Sequence, residues 1–172
     1  MSVSNTYPAI EIPDNGNDND DSDGTISLKH MATGNANANK KYVLVNDIAL
    51  TGTWSPKGTG SGAINPFKGT FYGNDHTISG LKPAAGPSTG LFGTIGSAEI
   101  RDLKVVIDNE AMLSGNIQYL GGVVGSTVVE LVSTKLRNLI VEVPSGRVLG
   151  FTSISTNSKV GGALRVLCLI PR

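Results

Sequence analysis

Two segments of the chain repeat one pattern that few folds can use. In EIRDLKVVI, from Glu99, the apolar side chains are Ile100, Leu103, Val105 and Ile107. In KLRNLIVEV, from Lys135, Leu136, Leu139, Val141 and Val143 occupy the same offsets of zero, three, five and seven. The last three offsets are strand alternation, with every second side chain inward. The opening step of three leaves one extra residue between inward positions, so the chain turns a corner there. Asp102 and Asn138 stand at that corner, and both types tolerate a left-handed backbone. TISGLKP, from Thr77, reads as a third copy, with Ile78 and Leu81 inward, Gly80 at the corner and Pro83 ending the series.

A second element recurs beside the first. Gly90-Leu91-Phe92-Gly93 and Gly121-Gly122-Val123-Val124-Gly125 each hold two apolar residues between glycines, which gives a short inward strand with a turn on either side. Two later stretches, GRVLG from Gly146 and VGGAL from Val160, half fit a third copy. The interval is 22 residues from Leu81 to Leu103 and 36 from Leu103 to Leu139, and both suit coils of a parallel β-solenoid. The extra length of the second interval is read as outward loops, which add little closure entropy. A sandwich would also use alternating strands, but it would not demand one corner chemistry at a fixed register.

Composition agrees with a turn-rich β fold. The 22 glycines are nearly twice the usual share, while only 16% of residues are charged, so the chain turns often and carries a sparse charged surface. With one Trp and four each of Tyr and Phe, the core is expected to rest on Val, Ile and Leu. The 14 basic and 14 acidic residues balance, which argues for neither nucleic acid nor an anionic membrane as partner. One cysteine, Cys168, leaves no intrachain disulfide and no cysteine-based zinc site, and in RVLCLI it reads as a buried thiol. No run of 18 apolar residues reads as a membrane-spanning helix, so no membrane insertion is expected. The first residues, MSVSNTYPAIEIPD, lack the apolar stretch of a signal peptide. The expectation is either an intracellular protein or a piece of an exported one.

The N-terminal region differs in character. Residues 14–24, DNGNDNDDSDG, are polar and acidic, and residues 1–24 read as a solvated linker ahead of a repeat domain over 25–172. Asn19, Asp21 and Asp23, followed by Gly24, have the alternate-oxygen spacing of a calcium loop. Against calcium stand Asn at the first position and His30 where a bidentate carboxylate belongs. In SLKHMATG, Ser27 reads as an N-cap, Leu28, Met31 and Ala32 share a helical face, and Gly34 ends the turn. This predicts a short capping helix at about residues 27–33. Further on, Asn46-Asp47 suits a corner, and the loop from Thr51 to Phe67 is expected to fold Trp54 back onto the body. Gly58-Thr59-Gly60-Ser61-Gly62 lacks the Lys and the helix of a phosphate cradle.

The order YVLVNDIALTGTW, PFKGTFYGNDHTISGL, GLFGTIG, EIRDLKV and LGGVVGS, over roughly residues 41–143, resembles the glycine-bounded GLUG repeats of bacterial surface and secreted proteins. The resemblance implies a right-handed parallel β-helix, here of about four to five coils. It also implies an extracellular or cell-surface setting, and a host or matrix protein or glycan as partner. It carries over no catalytic residues and no cofactor. After Gly146 the chain departs from the pattern, since VGGALRVLCLIPR has Arg165 where a closing glycine is expected.

An enzyme on this fold is the alternative, because polysaccharide lyases and hydrolases also use β-helices, and fold alone does not decide. Glycoside hydrolysis needs two carboxylates flanking one bond. Asp75, Asp102 and Asp108 are the available acids, with His76, Arg101, Lys104 and Arg137 as nearby bases. They form no clustered constellation in sequence. Gly73-Asn74-Asp75 reads as a tight turn, with His76 opening the next strand, and Arg101 and Arg137 lie one repeat apart as candidates for a surface ladder. The expectation is a non-catalytic module with a binding or spacer role.

Overall fold

A computed structural model describes residues 9–33, 37–58, 65–108, 119–128, 133–144 and 159–160. Among these residues the chain is all-β, with helix confined to one 3-10 turn at Asn37–Asn39. The strands are short, rich in β-branched and aromatic residues, and broken by glycine and asparagine, as a chain that turns often requires. In chain order they are β1 (Ile10–Ile12), β2 (Lys41–Leu44), β3 (Ile48–Ala49), β4 (Thr70–Tyr72), β5 (Thr77–Leu81) and β6 (Ser88–Thr89). Then follow β7 (Phe92–Ile95), β8 (Glu99–Ile107), β9 (Tyr119–Leu120), β10 (Val124–Thr127), β11 (Lys135–Glu142) and β12 (Lys159–Val160).

All the strand pairings are parallel and join segments one coil apart, which makes a β-solenoid of about three turns. The first wall stacks β1, β2, β4, the start of β8 and β11, with Ile10, Tyr42, Phe71, Ile100 and Leu136 in one inward column. The second wall stacks β3, β5, the end of β8 and β11 through Ile48, Ile78, Val105 and Val141. The nine residues of β8 thus cover two walls in one strand, bending at Asp102, whose φ is 55°. Elsewhere β6, β9 and β12 stack, and β7 lies on β10.

Leu103 and Leu139 are register partners, as their common pattern predicts. The third copy does not stack in this register. Leu81 partners Ile107 rather than Leu103, and the residue stacked on Ile100 is Phe71. The reason is the corner. In the coil of β4 and β5 the bend is made by Asn74 and Asp75, at φ 52° and 62°. Gly80, at φ 71°, instead serves a register shift between Ile78 and Leu81. The coil interval at Phe71 and Ile100 is therefore 29 residues, not 22.

Of the residues expected inward, Ile78, Leu81, Leu91, Ile100, Leu103, Val105, Ile107, Val123 and Val141 are buried. Leu136, Leu139 and Val143 pack against the same core but are partly exposed, since among the described residues β11 has a neighbour on one side only. The expectation of an aliphatic core misses its aromatic centre. Tyr42, Phe67, Phe71 and Phe92 are fully buried, with Phe67 and Phe92 centroids 4.9 Å apart and Phe71 edge-on to Phe92 at 5.4 Å. Among the described residues these aromatics are gathered inside, where each supplies large apolar area and favourable ring geometry. Trp54 folds back as expected, donating from its indole Nε1 to the Leu91 carbonyl at 2.9 Å.

The N-terminal end is covered, but not by a helix. Ser27 Oγ donates to the Asp18 carbonyl, Leu28 N donates to the Asp14 carbonyl, and Ala32 sits at φ 53°, so a helical hydrogen-bond ladder cannot propagate. A single turn forms instead, with His30 and Met31 N–H both donating to the Ser27 carbonyl. Ile26, Leu28 and Met31 are buried in the common core, and Thr25 bridges to Glu11 on the open side of β1. The segment thereby hides a sheet edge. The stretch read as a linker contains β1 and is tied to the body by Asp14, Asp18 and the Asp21 ion pair with Lys40. Cys168, Arg165 and most of the third glycine-bounded element lie outside the described residues.

Candidate functional site

The sequence pointed to the corner around Asp75 and His76. Gly73, Asn74 and Asp75 form a tight turn closed by His76 N–H on the Gly73 carbonyl at 2.9 Å. Asp75 N–H donates to the Asp102 carbonyl of the next coil, so this corner stacks on the following one. Asp75 is not the partner of His76. The imidazole Nδ1 lies 3.0 Å from Asp47 Oδ1, contributed by the preceding coil, and the same oxygen accepts Thr77 N–H at 2.9 Å. The Thr77 N–H, and then the His76 ring, hold the Asp47 carboxyl below the usual carboxylate range. Asn46-Asp47 is thus a corner, as its residue types predict.

An Asp–His pair is the orienting half of a nucleophilic triad. Here Asp47 is 73% exposed on its side chain, and among the described residues no hydroxyl or thiol is hydrogen-bonded to the other ring nitrogen. The pair ties one coil to the next.

The other acids and bases named from sequence lie along the outer face. Glu11, Val43, Tyr72, Arg101 and Arg137 form one outward column, so Arg101 and Arg137 do stack. Lys41, Thr70, Glu99 and Lys135 form the neighbouring one. Arg101 lies over the Tyr72 ring at 4.1 Å and pairs with Asp102 at 3.0 Å and Glu99 at 3.7 Å. Lys104 pairs with Glu142 at 2.7 Å. Arg101 and Lys104 are therefore compensated within the face, and Tyr72 is the one aromatic residue of these two columns among the described residues. Asp108, at the end of β8, donates its backbone N–H to the Leu81 carbonyl and does not join Asp75 or Asp102 in one cluster.

The calcium-like residues do different work. Asp21 pairs with Lys40, and Asp23 accepts Thr25 N–H and Oγ1, both at 2.9 Å, which lowers its pKa. Among the described residues no group of three or more His, Cys, Asp or Glu is placed to hold a metal ion.

Sequence reasoning missed a cavity of about 360 Å³ between the N-terminal segment and the loop after β3. Asn15, Lys29, Thr51, Thr53, Trp54 and Lys57 contribute to its wall. Lys57 is 7% exposed, donates to the Lys29 carbonyl and lies 5.2 Å from the Trp54 ring centroid. Burial pushes its pKa down to about 8. Nothing in SPKG marks a buried lysine, because its hydrogen-bond acceptor, the Lys29 carbonyl, lies 28 positions away in sequence.

Comparison of the chain with family models, with curated proteins and with solved structures finds no match.

Proposed function

We propose that the chain is a non-catalytic parallel β-helix module of a bacterial cell-surface or secreted protein, with an adhesive or spacer role. The observation that carries this reading is the outer face. Arg101 is held by Asp102 and Glu99 of its own strand and by Tyr72 of the preceding coil, and Lys104 by Glu142 of the next, so these charges are engaged with their neighbours instead of converging on one reacting bond. Catalysis needs groups aimed at a shared point. A solenoid with a regular face suits extended partners or simple separation of its ends.

The resemblance of residues 41–143 to GLUG repeats supports the same reading and adds its setting. Right-handed winding, about four to five coils and a host or matrix protein or glycan as partner belong to the proposal on that ground. Surface plasmon resonance against extracellular-matrix proteins and a glycan array tests the adhesive form. Saturable binding that weakens in the double variant Arg101→Ala, Arg137→Ala supports adhesion through this face. Absence of binding leaves the spacer role. Turnover of polysaccharides by the purified chain overturns the proposal in favour of the lyase or hydrolase alternative.

A further inference from the structure

We propose that the cavity beside Lys57 binds a small carboxylate-bearing polyhydroxy compound, an acidic monosaccharide in size and chemistry. The proposal goes beyond the surface role above and does not rest on it. Two independent features of the cavity wall point to a ligand.

The first is the charge of Lys57. An ammonium taken out of water is costly unless a counter-charge meets it. The described residues form ion pairs at Lys40, His76, Arg101 and Lys104, and no carboxylate is paired with Lys57. Its contacts are the neutral Lys29 carbonyl and the face of Trp54. An ammonium has three donors, and one is used. A ligand carboxylate in the cavity would take the other two and supply the missing charge.

The second is Asn15. Its side-chain Oδ1 is buried without a hydrogen-bond partner, and the residue lines the same cavity. A buried acceptor without a donor is rare in folded proteins. A ligand hydroxyl that reached it would supply that donor. The exposed hydroxyl-bearing residues Thr51 and Thr53 also line the cavity and add hydrogen-bonding capacity to its wall. An inorganic anion would satisfy Lys57 and leave Asn15 unmatched. A neutral sugar would do the reverse. One ligand carrying both groups satisfies both, and the volume suits a small-molecule site.

Trp54 is the one tryptophan of the chain and stands in the wall, so its fluorescence reports occupancy. The experiment titrates the 172-residue chain with glucuronate, glucose and inorganic phosphate, following fluorescence and calorimetry. The expected result is saturable glucuronate binding at least about tenfold tighter than either control. Lys57→Met should lose about tenfold or more in affinity, and Lys57→Arg should recover part of it. Because Lys57→Met alters a buried position, Asn15→Asp is the second variant. It places a carboxylate in the cavity wall and should abolish glucuronate binding while thermal unfolding remains cooperative. Equal affinity for glucose, equal or tighter binding of phosphate, glucuronate binding unchanged in Asn15→Asp, or no saturation by about 10 mM would each overturn the proposal.

Discussion

Asn138 stands directly on Asp102: its side-chain amide donates to the Asp102 carboxylate at 3.0 Å, and the two backbones hold φ of 47° and 55°. Corner geometry and coil-to-coil bonding are thus carried by the same two residues. The left-handed conformation suits Asn and Asp and is a true outlier for a β-branched side chain. Asn138 is exposed, so its substitution tests conformation without a change in core packing. Asn138→Val should cost about 1–3 kcal/mol in urea denaturation, and Asn138→Gly distinctly less. Equal losses in both variants would assign the effect to the lost hydrogen bond rather than to the bend.

Gly80 offers a second test of backbone constraint. It has φ 71°, and a Cβ there would meet the Leu50 carbonyl oxygen at 2.6 Å. Gly52 has φ 74° with open space around its Cβ position. Alanine at Gly52 meets only the conformational penalty, about 1 kcal/mol. Gly80→Ala meets that penalty and a backbone clash as well, and should cost about 1–2 kcal/mol more. Matching midpoints for the two variants would mean that the coils separate freely at this bulge.

The repeated pattern made the stacking of Leu103 on Leu139 legible, because β8 and β11 carry the same offsets through the same single-residue corner. It misplaced Ile78 and Leu81 because their coil turns with two left-handed residues, Asn74 and Asp75, and that lengthening shifts every later partner. Local residue types identify a corner but do not count its residues. The aromatic centre was hidden for a related reason. Phe67, Phe71 and Phe92 meet only once the loops have been spanned, and each alone in sequence is one apolar residue among many. The same holds for Asp47 with His76 and for Lys57 with Lys29, pairs made by coil stacking between segments distant in sequence.

His76 follows Asp75 in sequence, but its bond is to Asp47. His76→Ala should therefore cost about 1 kcal/mol or less, as half-exposed ion pairs usually do. Assays on polysaccharides and peptides should find no turnover in either protein. Turnover by the parent chain that vanishes in a folded His76→Ala would mark the corner as an active site. The acid side separates the two partners. Asp47 has a lowered pKa in the folded state, so its contribution is present above the ordinary carboxylate value of 3.8 and is lost as pH falls through the folded value. The largest cause is Thr77 N–H, which His76→Ala leaves in place. Asp47→Asn should consequently flatten acid unfolding below about pH 4 more than His76→Ala does.

Lys57 and Tyr42 act oppositely on the alkaline side. Burial lowers Lys57 from 10.5 to about 8, so between those values the unfolded chain binds more protons than the folded one. Stability then rises with pH over that window, by at most about 3 kcal/mol. Burial raises Tyr42 from 10.0 to about 12, so above pH 10 the unfolded chain loses its phenolic proton first and stability falls. The profile should peak near pH 10. Lys57→Met should remove the rise from pH 8 to 10. Tyr42→Phe should remove the fall above 10, on a baseline lowered by about 1–2 kcal/mol because Ala32 N–H loses its acceptor. Thermal melts in a buffer free of carboxylate and phosphate read the profile directly. A rise that persists in Lys57→Met would show that another group sets it, and a rise that shrinks when glucuronate is added would show the added carboxylate meeting the charge of Lys57.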